Sequence, residues 1–153
     1  MLLDEVKATL AMENLSLNEE QEKLLKSYAD GKITLKEYQE LLFCDANFIE
    51  KELNKLFLKL KSENYLKDCT EDNIASKAAY YLGEINAIHP FREGNGRTQR
   101  EFIRELLLPT GFYVDYSRCN AKMMLYASIN AFAGDYTLMT ELFDKCIVRK
   151  PLN

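Results

Sequence analysis

An all-α fold is what this chain of 153 residues predicts. Three observations carry that reading. Apolar residues recur at three- and four-residue spacing along most of the chain, helix start and stop residues bracket those runs, and no stretch alternates convincingly with the period of two that a half-buried strand needs. At 47% hydrophobic and 29% charged residues the composition is that of a globular domain able to bury a core without staples.

The elements follow in order. Leu2, Leu3, Val6 and Leu10 sit at helical spacing in a run that reaches about Glu13-Asn14. A second run goes from Asn18, a good N-cap residue, to Asp30 and stops at Gly31, and a third opens with the capping box Thr34-Leu35-Lys36-Glu37. From Asp45, the set Phe48, Ile49, Leu53, Leu56, Phe57 and Leu60 predicts a core-facing stripe. Thr70 reads as the cap of the next helix, whose stripe Ile74, Ala78, Leu82, Ile85 leads to His89. Pro90 disfavours helical backbone at the residue before it, which places His89 at a helix end, facing the interior side. Beyond the loop, Phe102, Ile103, Leu106 and Leu107 predict a helix ending at Pro109-Thr110-Gly111. Two more helices are expected, one from about Ser117 to Gly134 and a last one holding Leu138, Leu142, Phe143, Cys146 and Ile147.

Charge excludes several function classes. A net charge of -4 and a pI near 5.2 do not supply the basic footprint of direct nucleic-acid binding, so any polyanion handled is small and bound locally. The N-terminus MLLDEVKATL carries acids where a signal or transit sequence needs bases, and no apolar run approaches membrane-spanning length, so a cytoplasmic protein without membrane contact is expected. Cys44, Cys69, Cys119 and Cys146 form no CxxC pair, which suggests neither a zinc site nor a disulfide framework, and reduced, partly buried thiols are the expectation.

Chemistry concentrates in residues 89 to 100, HPFREGNGRTQR, which include the chain's one histidine. Asn95-Gly96 is also a hairpin signal, but hairpin flanks alternate with period two and these flanks have helical period. What remains is a glycine-rich turn feeding a helix N-terminus, where free backbone N–H groups and the helix dipole favour an anion. Gly94 and Gly96 allow close approach of backbone to a ligand. Arg97 and Arg100, three apart on one helix face, add planar donor forks suited to phosphate oxygens. Glu93 offers a hard oxygen to the Mg²⁺ that accompanies a nucleotide polyphosphate, and His89 is the nearby candidate general base. Each residue singly also fits a core histidine or a solvated ion-pair face.

The twelve residues resemble the Fic signature HPFx(D/E)GNGRxxR at every specified position, and the similarity extends from about Phe43 to Ile147. The resemblance implies a Fic-type helical bundle that transfers AMP from ATP to a hydroxyl side chain of a protein target. In that reading His89 accepts the hydroxyl proton and Glu93 holds Mg²⁺ between the α- and β-phosphates. Gly94, Asn95 and Gly96 cradle phosphates, Arg97 and Arg100 support the β- and γ-phosphates, and Phe91 anchors the loop in the core.

A second resemblance lies in Thr9-Leu10-Ala11-Met12-Glu13-Asn14, which matches the inhibitory pattern (S/T)xxxE(G/N) of Fic proteins. Residues 1–42 resemble the small helical antitoxins that carry it, leaving 43–153 as the catalytic core. The family pattern implies that Glu13 pairs with Arg100 and displaces the γ-phosphate, with Thr9 alongside on the same helix face. One departure is visible: Leu41-Leu42 runs straight into Phe43-Cys44-Asp45, with no room for the early core helices and β-hairpin flap that align a target in Fic proteins. Alternatives are removal of AMP, phosphorylation by a Fic relative, and a non-catalytic nucleotide-binding or toxin-antitoxin interaction module. Antitoxin-bearing relatives point to a topoisomerase subunit as target.

Overall fold

The computed structural model describes residues 19–34, 46–91 and 94–151. The helix read over Leu2 to Leu10, the capping box after Thr34, and the candidate site residues Thr9, Glu13 and Glu93 lie outside them. The chain divides between Ala46 and Asn47 into two units. In the first, helix α1 (Glu19–Ala29) ends as read from the sequence. Gly31 is left-handed, and Lys32 N–H donates to the Ser27 carbonyl at 2.9 Å, the bond that closes a glycine-terminated helix.

The second unit is a helical bundle built around α3. Its helices are α2 (Ile49–Ser62), α3 (Ile74–Ile88), α4 (Asn95–Leu107), α5 (Ala121–Phe132) and α6 (Thr137–Cys146). The chain is mostly helical, as predicted. Helix α3 packs against all four others and buries Ala75, Ala79, Tyr81, Gly83 and Ile88 in addition to the predicted stripe. A helix with so broad an apolar face belongs at the centre. At Gly83 the crossing is close: a Cβ there would stand 2.5 Å from Tyr136 Cε1 and 3.0 Å from Ala131 Cβ. No helix among the described residues is long and apolar enough to cross a membrane.

Several expectations are corrected. Two short antiparallel strands, β1 (Phe112–Val114) and β2 (Ile147–Arg149), pair Phe112 with Arg149 and Val114 with Ile147. Three residues are too few to display a period of two, so Ile147 read as helical. Helix α5 begins at Ala121 rather than Ser117, because the Asn120 side chain caps Lys122 and Met123 N–H, and Tyr116–Arg118 forms a separate 3-10 turn. The residue preceding α3 is Asn73, not Thr70. Its side chain turns back to accept from Thr70 N–H at 2.8 Å.

Within the α2 stripe, Leu56 and Leu60 are buried, but Phe48 and Phe57 remain 52% and 41% exposed. Phe57 meets Phe102 edge-on, with ring centroids 6.0 Å apart. Cys119 and Cys146 are joined as a disulfide with Cα atoms 6.3 Å apart, so the expectation of four reduced thiols fails. The fold brings together two residues whose spacing along the chain signals no pair.

Where α2 meets α3, a polar cluster replaces apolar packing. The Glu63 carboxylate accepts from Lys59 at 2.8 Å, Lys77 at 2.9 Å and Tyr81 Oη at 3.0 Å. Burial pushes this carboxyl up, but the hydrogen bonds from Lys59, Lys77 and Tyr81 outweigh it and bring its pKa down to about 2.

Candidate functional site

The candidate site lies where α3 ends and α4 begins. His89 closes α3 in a left-handed conformation (φ 52°, ψ 58°), its N–H donating to the Ile85 carbonyl at 2.9 Å. Proline follows, and the helix cannot continue. The half-buried imidazole has its pKa lowered by burial, opposed by a hydrogen bond with the Asn86 backbone. A lowered imidazole is neutral at pH 7, the state a proton acceptor requires.

Helix α4 starts without a side-chain cap. Gly94 stands at the N-cap in a left-handed conformation (φ 75°), where a side chain would be strained, and its carbonyl accepts from Thr98 N–H at 2.9 Å. The first-turn N–H groups therefore have no side-chain cap among the described residues and lie at the positive end of the helix dipole.

Two guanidinium groups fold back over this turn. Arg97 Nη2 lies 3.7 Å from where a Cβ on Gly94 would stand, and Arg100 Nη1 lies 3.3 Å from the corresponding point on Gly96. At Gly96 a side chain would crowd the Arg100 guanidinium, whereas at Gly94 the distance is ordinary contact and the left-handed backbone is what calls for glycine. The nearby acids on α4 are otherwise engaged: Glu101 and Glu105 both pair with Arg104. Among the described residues no carboxylate pairs with Arg97 or Arg100. Helix N-terminal N–H groups and two forked cations are the groups that suit an anion.

In Asn95 the side chain and the backbone are separated in role. Its side chain is 6% exposed, its Oδ1 accepts from Phe91 N–H at 3.0 Å, and its Nδ2 donates to the Phe91 carbonyl. The amide thus braces the loop, leaving only its backbone to face a ligand. Phe91, expected as a core anchor, is 51% exposed and is held through its backbone. One turn along α4, Gln99 is 5% exposed and its amide nitrogen has no hydrogen-bond partner.

Sequence reasoning missed Tyr116, whose hydroxyl donates to the Arg100 carbonyl at 3.0 Å. Nothing in its own segment announces that contact, because the two residues meet only through tertiary packing. A metal ligand set is not found among the described residues, where no three His, Cys, Asp or Glu side chains cluster.

The Fic/DOC family profile matches residues 11–107, well over half of the chain. The protein adenylyltransferase VbhT of Bartonella schoenbuchensis is 37% identical over 105 residues, which are 69% of this chain and 22% of that protein. Among solved structures, the N-terminal Fic domain of a VirB-translocated Bep effector from Bartonella quintana, with bound ADP, superposes with a TM-score of 0.68 at 34% identity, covering 71% of this chain and 51% of that one. BepC from Bartonella tribocorum, with bound AMPPNP, gives the same TM-score at 33% identity and covers 71% and 52%. The chain thus spans about half the length, or less, of these relatives. With the signature loop, the helical bundle and the profile in agreement, the chain belongs to the Fic/DOC family.

Proposed function

We propose that this chain is a protein adenylyltransferase that moves AMP from ATP to a hydroxyl side chain of a protein target. The observation that supports it most is the uncapped glycine start of α4 under two guanidinium groups that meet no carboxylate among the described residues, beside a neutral histidine at the end of α3. In this reading the imidazole of His89 takes the target hydroxyl's proton as its oxygen bonds to the α-phosphorus. The bond from that phosphorus to the bridging oxygen breaks, and pyrophosphate leaves. The N–H groups of Gly94, Asn95 and Gly96 hold phosphate oxygens, Arg97 stabilises the β-phosphate, and Arg100 the γ-phosphate.

The donor set suits Mg²⁺ held mainly by phosphate and water, since the described residues supply no carboxylate cage and Glu93, directly before Gly94, would be the protein's ligand. Bound there, the ion would neutralise charge between the α- and β-phosphates.

Autoinhibition belongs to the same proposal. The half-buried Arg100 meets no described carboxylate, so its fork suits either a γ-phosphate or the carboxylate of Glu13, with Thr9 beside it. The target class follows from the relatives' activity, and a topoisomerase subunit is the candidate to try first.

Label from α-labelled ATP, but not γ-labelled ATP, is expected on target or chain when Glu13→Gly is assayed with Mg²⁺ in lysate. His89→Ala added to that variant should cut transfer on the order of 10²-fold or more. Transfer should also fall as pH drops below the ordinary imidazole pKa, because protonated His89 cannot accept a proton. No label from either nucleotide in a chain shown to bind ATP would replace this reading with that of a nucleotide-binding module.

A further inference from the structure

The Fic/DOC match ends at Leu107, yet the residue that grips α4 behind Arg100 comes after it. Tyr116 packs its ring on the core and donates its hydroxyl to the Arg100 carbonyl at 3.0 Å. A helix carbonyl has a second lone pair, so this bond adds to the helical one. Burial pushes the Tyr116 phenol up, and the positive charge of Arg100 opposes that shift.

The turn carrying Tyr116 is itself fixed. Asp115 N–H donates to the Cys146 carbonyl at 2.7 Å, in line with the β1–β2 pairing. The Asp115 carboxylate accepts from Ser117 N–H at 3.1 Å and Ser117 Oγ at 2.6 Å. Cys119, just beyond, is tied to Cys146. The ribbon that the sequence does not reveal thus holds a hydroxyl against one residue of the anion site.

We infer that Tyr116 is a positioning residue for Arg100: its hydroxyl fixes the second turn of α4 so that the Arg100 fork stays folded over Gly96, aimed at the outermost phosphate of a bound nucleoside triphosphate. This rests on the assignment of Arg100 to the γ-phosphate made above. Tyr116 touches no phosphate, and its effect passes entirely through Arg100.

The test is equilibrium binding of ATP and of AMP, with Mg²⁺, to the full chain carrying Glu13→Gly so that Arg100 is free for phosphate, for Tyr116→Phe, Arg100→Ala and the double variant in that background. Tyr81→Phe serves as a matched control, since it removes a tyrosine hydroxyl bond of the same 3.0 Å length on Glu63. Loss of one hydrogen bond should weaken ATP binding by roughly three- to tenfold and change AMP binding less than about twofold. Tyr81→Phe should leave the ATP/AMP ratio unchanged, and Tyr116→Phe should add nothing in the Arg100→Ala background. Ser117→Ala, which loosens the turn and keeps the phenol, should shift the ratio in the same direction but less, and serves if Tyr116→Phe folds poorly. An unchanged ratio in Tyr116→Phe, equal losses for ATP and AMP, or a full effect without Arg100 overturns the inference. If Arg100→Ala itself leaves the ratio unchanged, the γ-phosphate assignment falls and the role of Tyr116 with it. If Arg100→Ala shifts the ratio and Tyr116→Phe does not, only the inference falls.

Discussion

Helices α3 and α4 are neighbours of similar length, 15 and 13 residues, joined by the signature loop, and they use their surfaces in opposite ways. Helix α3 is surrounded: nine of its residues are buried, with Gly83 pressed against Tyr136 and Ala131. Helix α4 is one-sided, with Asn95, Gln99, Ile103, Leu106 and Leu107 inward and Gly96, Arg97 and Thr98 of its first turn exposed. A helix packed over most of its surface can fix a residue at its end, and His89 is such a residue. A helix half in solvent can offer N–H groups and arginines to a ligand. The difference predicts that changes in α3 are read as stability and changes at the start of α4 as binding.

The sharpest way to break the comparison is Gly83→Ala. A methyl group 2.5 Å from the Tyr136 ring must displace it, and that ring's hydroxyl is hydrogen-bonded to Glu84. Overpacking of this kind costs about 1–3 kcal/mol, and the melting temperature should fall by roughly 5–15 °C. An unchanged melting curve would mean that α3 is not packed as tightly as its burial implies.

Gly96→Ala is the counterpart in α4. Its Cβ would come within 3.3 Å of Arg100 Nη1, near the far end of a flexible side chain. ATP affinity should drop several-fold, on the order of 1 kcal/mol, while thermal stability holds or rises slightly, because alanine suits a helix better than glycine. A loss of stability comparable to that of Gly83→Ala would erase the distinction between the two helices.

Acid titration tests how α3 is held. Glu63 has a folded pKa of about 2 against an ordinary 4.5, so its contribution is fully present above the unfolded value and is lost as pH falls through that window. Denaturant midpoints should decline between about pH 5 and pH 2, and Glu63→Gln should be less stable at neutral pH with a flatter acid limb. A variant with the parent's full pH dependence would remove Glu63 from the account. The smallest effect belongs to Gln99→Met, which replaces a buried amide lacking a partner for its nitrogen. Unfolding free energy should change by less than about 1 kcal/mol, in either direction. A loss well beyond that would show that the amide has an acceptor in solution.

The end of α3 at His89, the core faces of α3, α4 and α6, and a glycine turn leading into α4 were legible in the sequence because each is set locally. Apolar period declares a helix face, proline after His89 ends α3, and glycine at position 94 permits the left-handed backbone that opens α4. The strands were not legible, since three residues carry no period and Ile147 continues the pattern of the helix before it. The Fic resemblance placed Asn95 among the phosphate ligands, and only the folded loop shows its side-chain amide turned onto Phe91. Exposure of Phe48, Phe57 and Phe91 was also invisible, because hydrophobicity does not say which apolar groups find a partner.

The sequence by itself therefore determined the helical class and the chemistry gathered in one loop, since backbone preference and side-chain type act over a few residues. Tertiary structure decided what stands behind that loop: Cys119 on Cys146, Tyr136 on Glu84 and Tyr116 on Arg100, at separations of 27, 52 and 16 residues. Such pairs are chosen by how whole helices pack, and periodicity specifies a face without naming its partner.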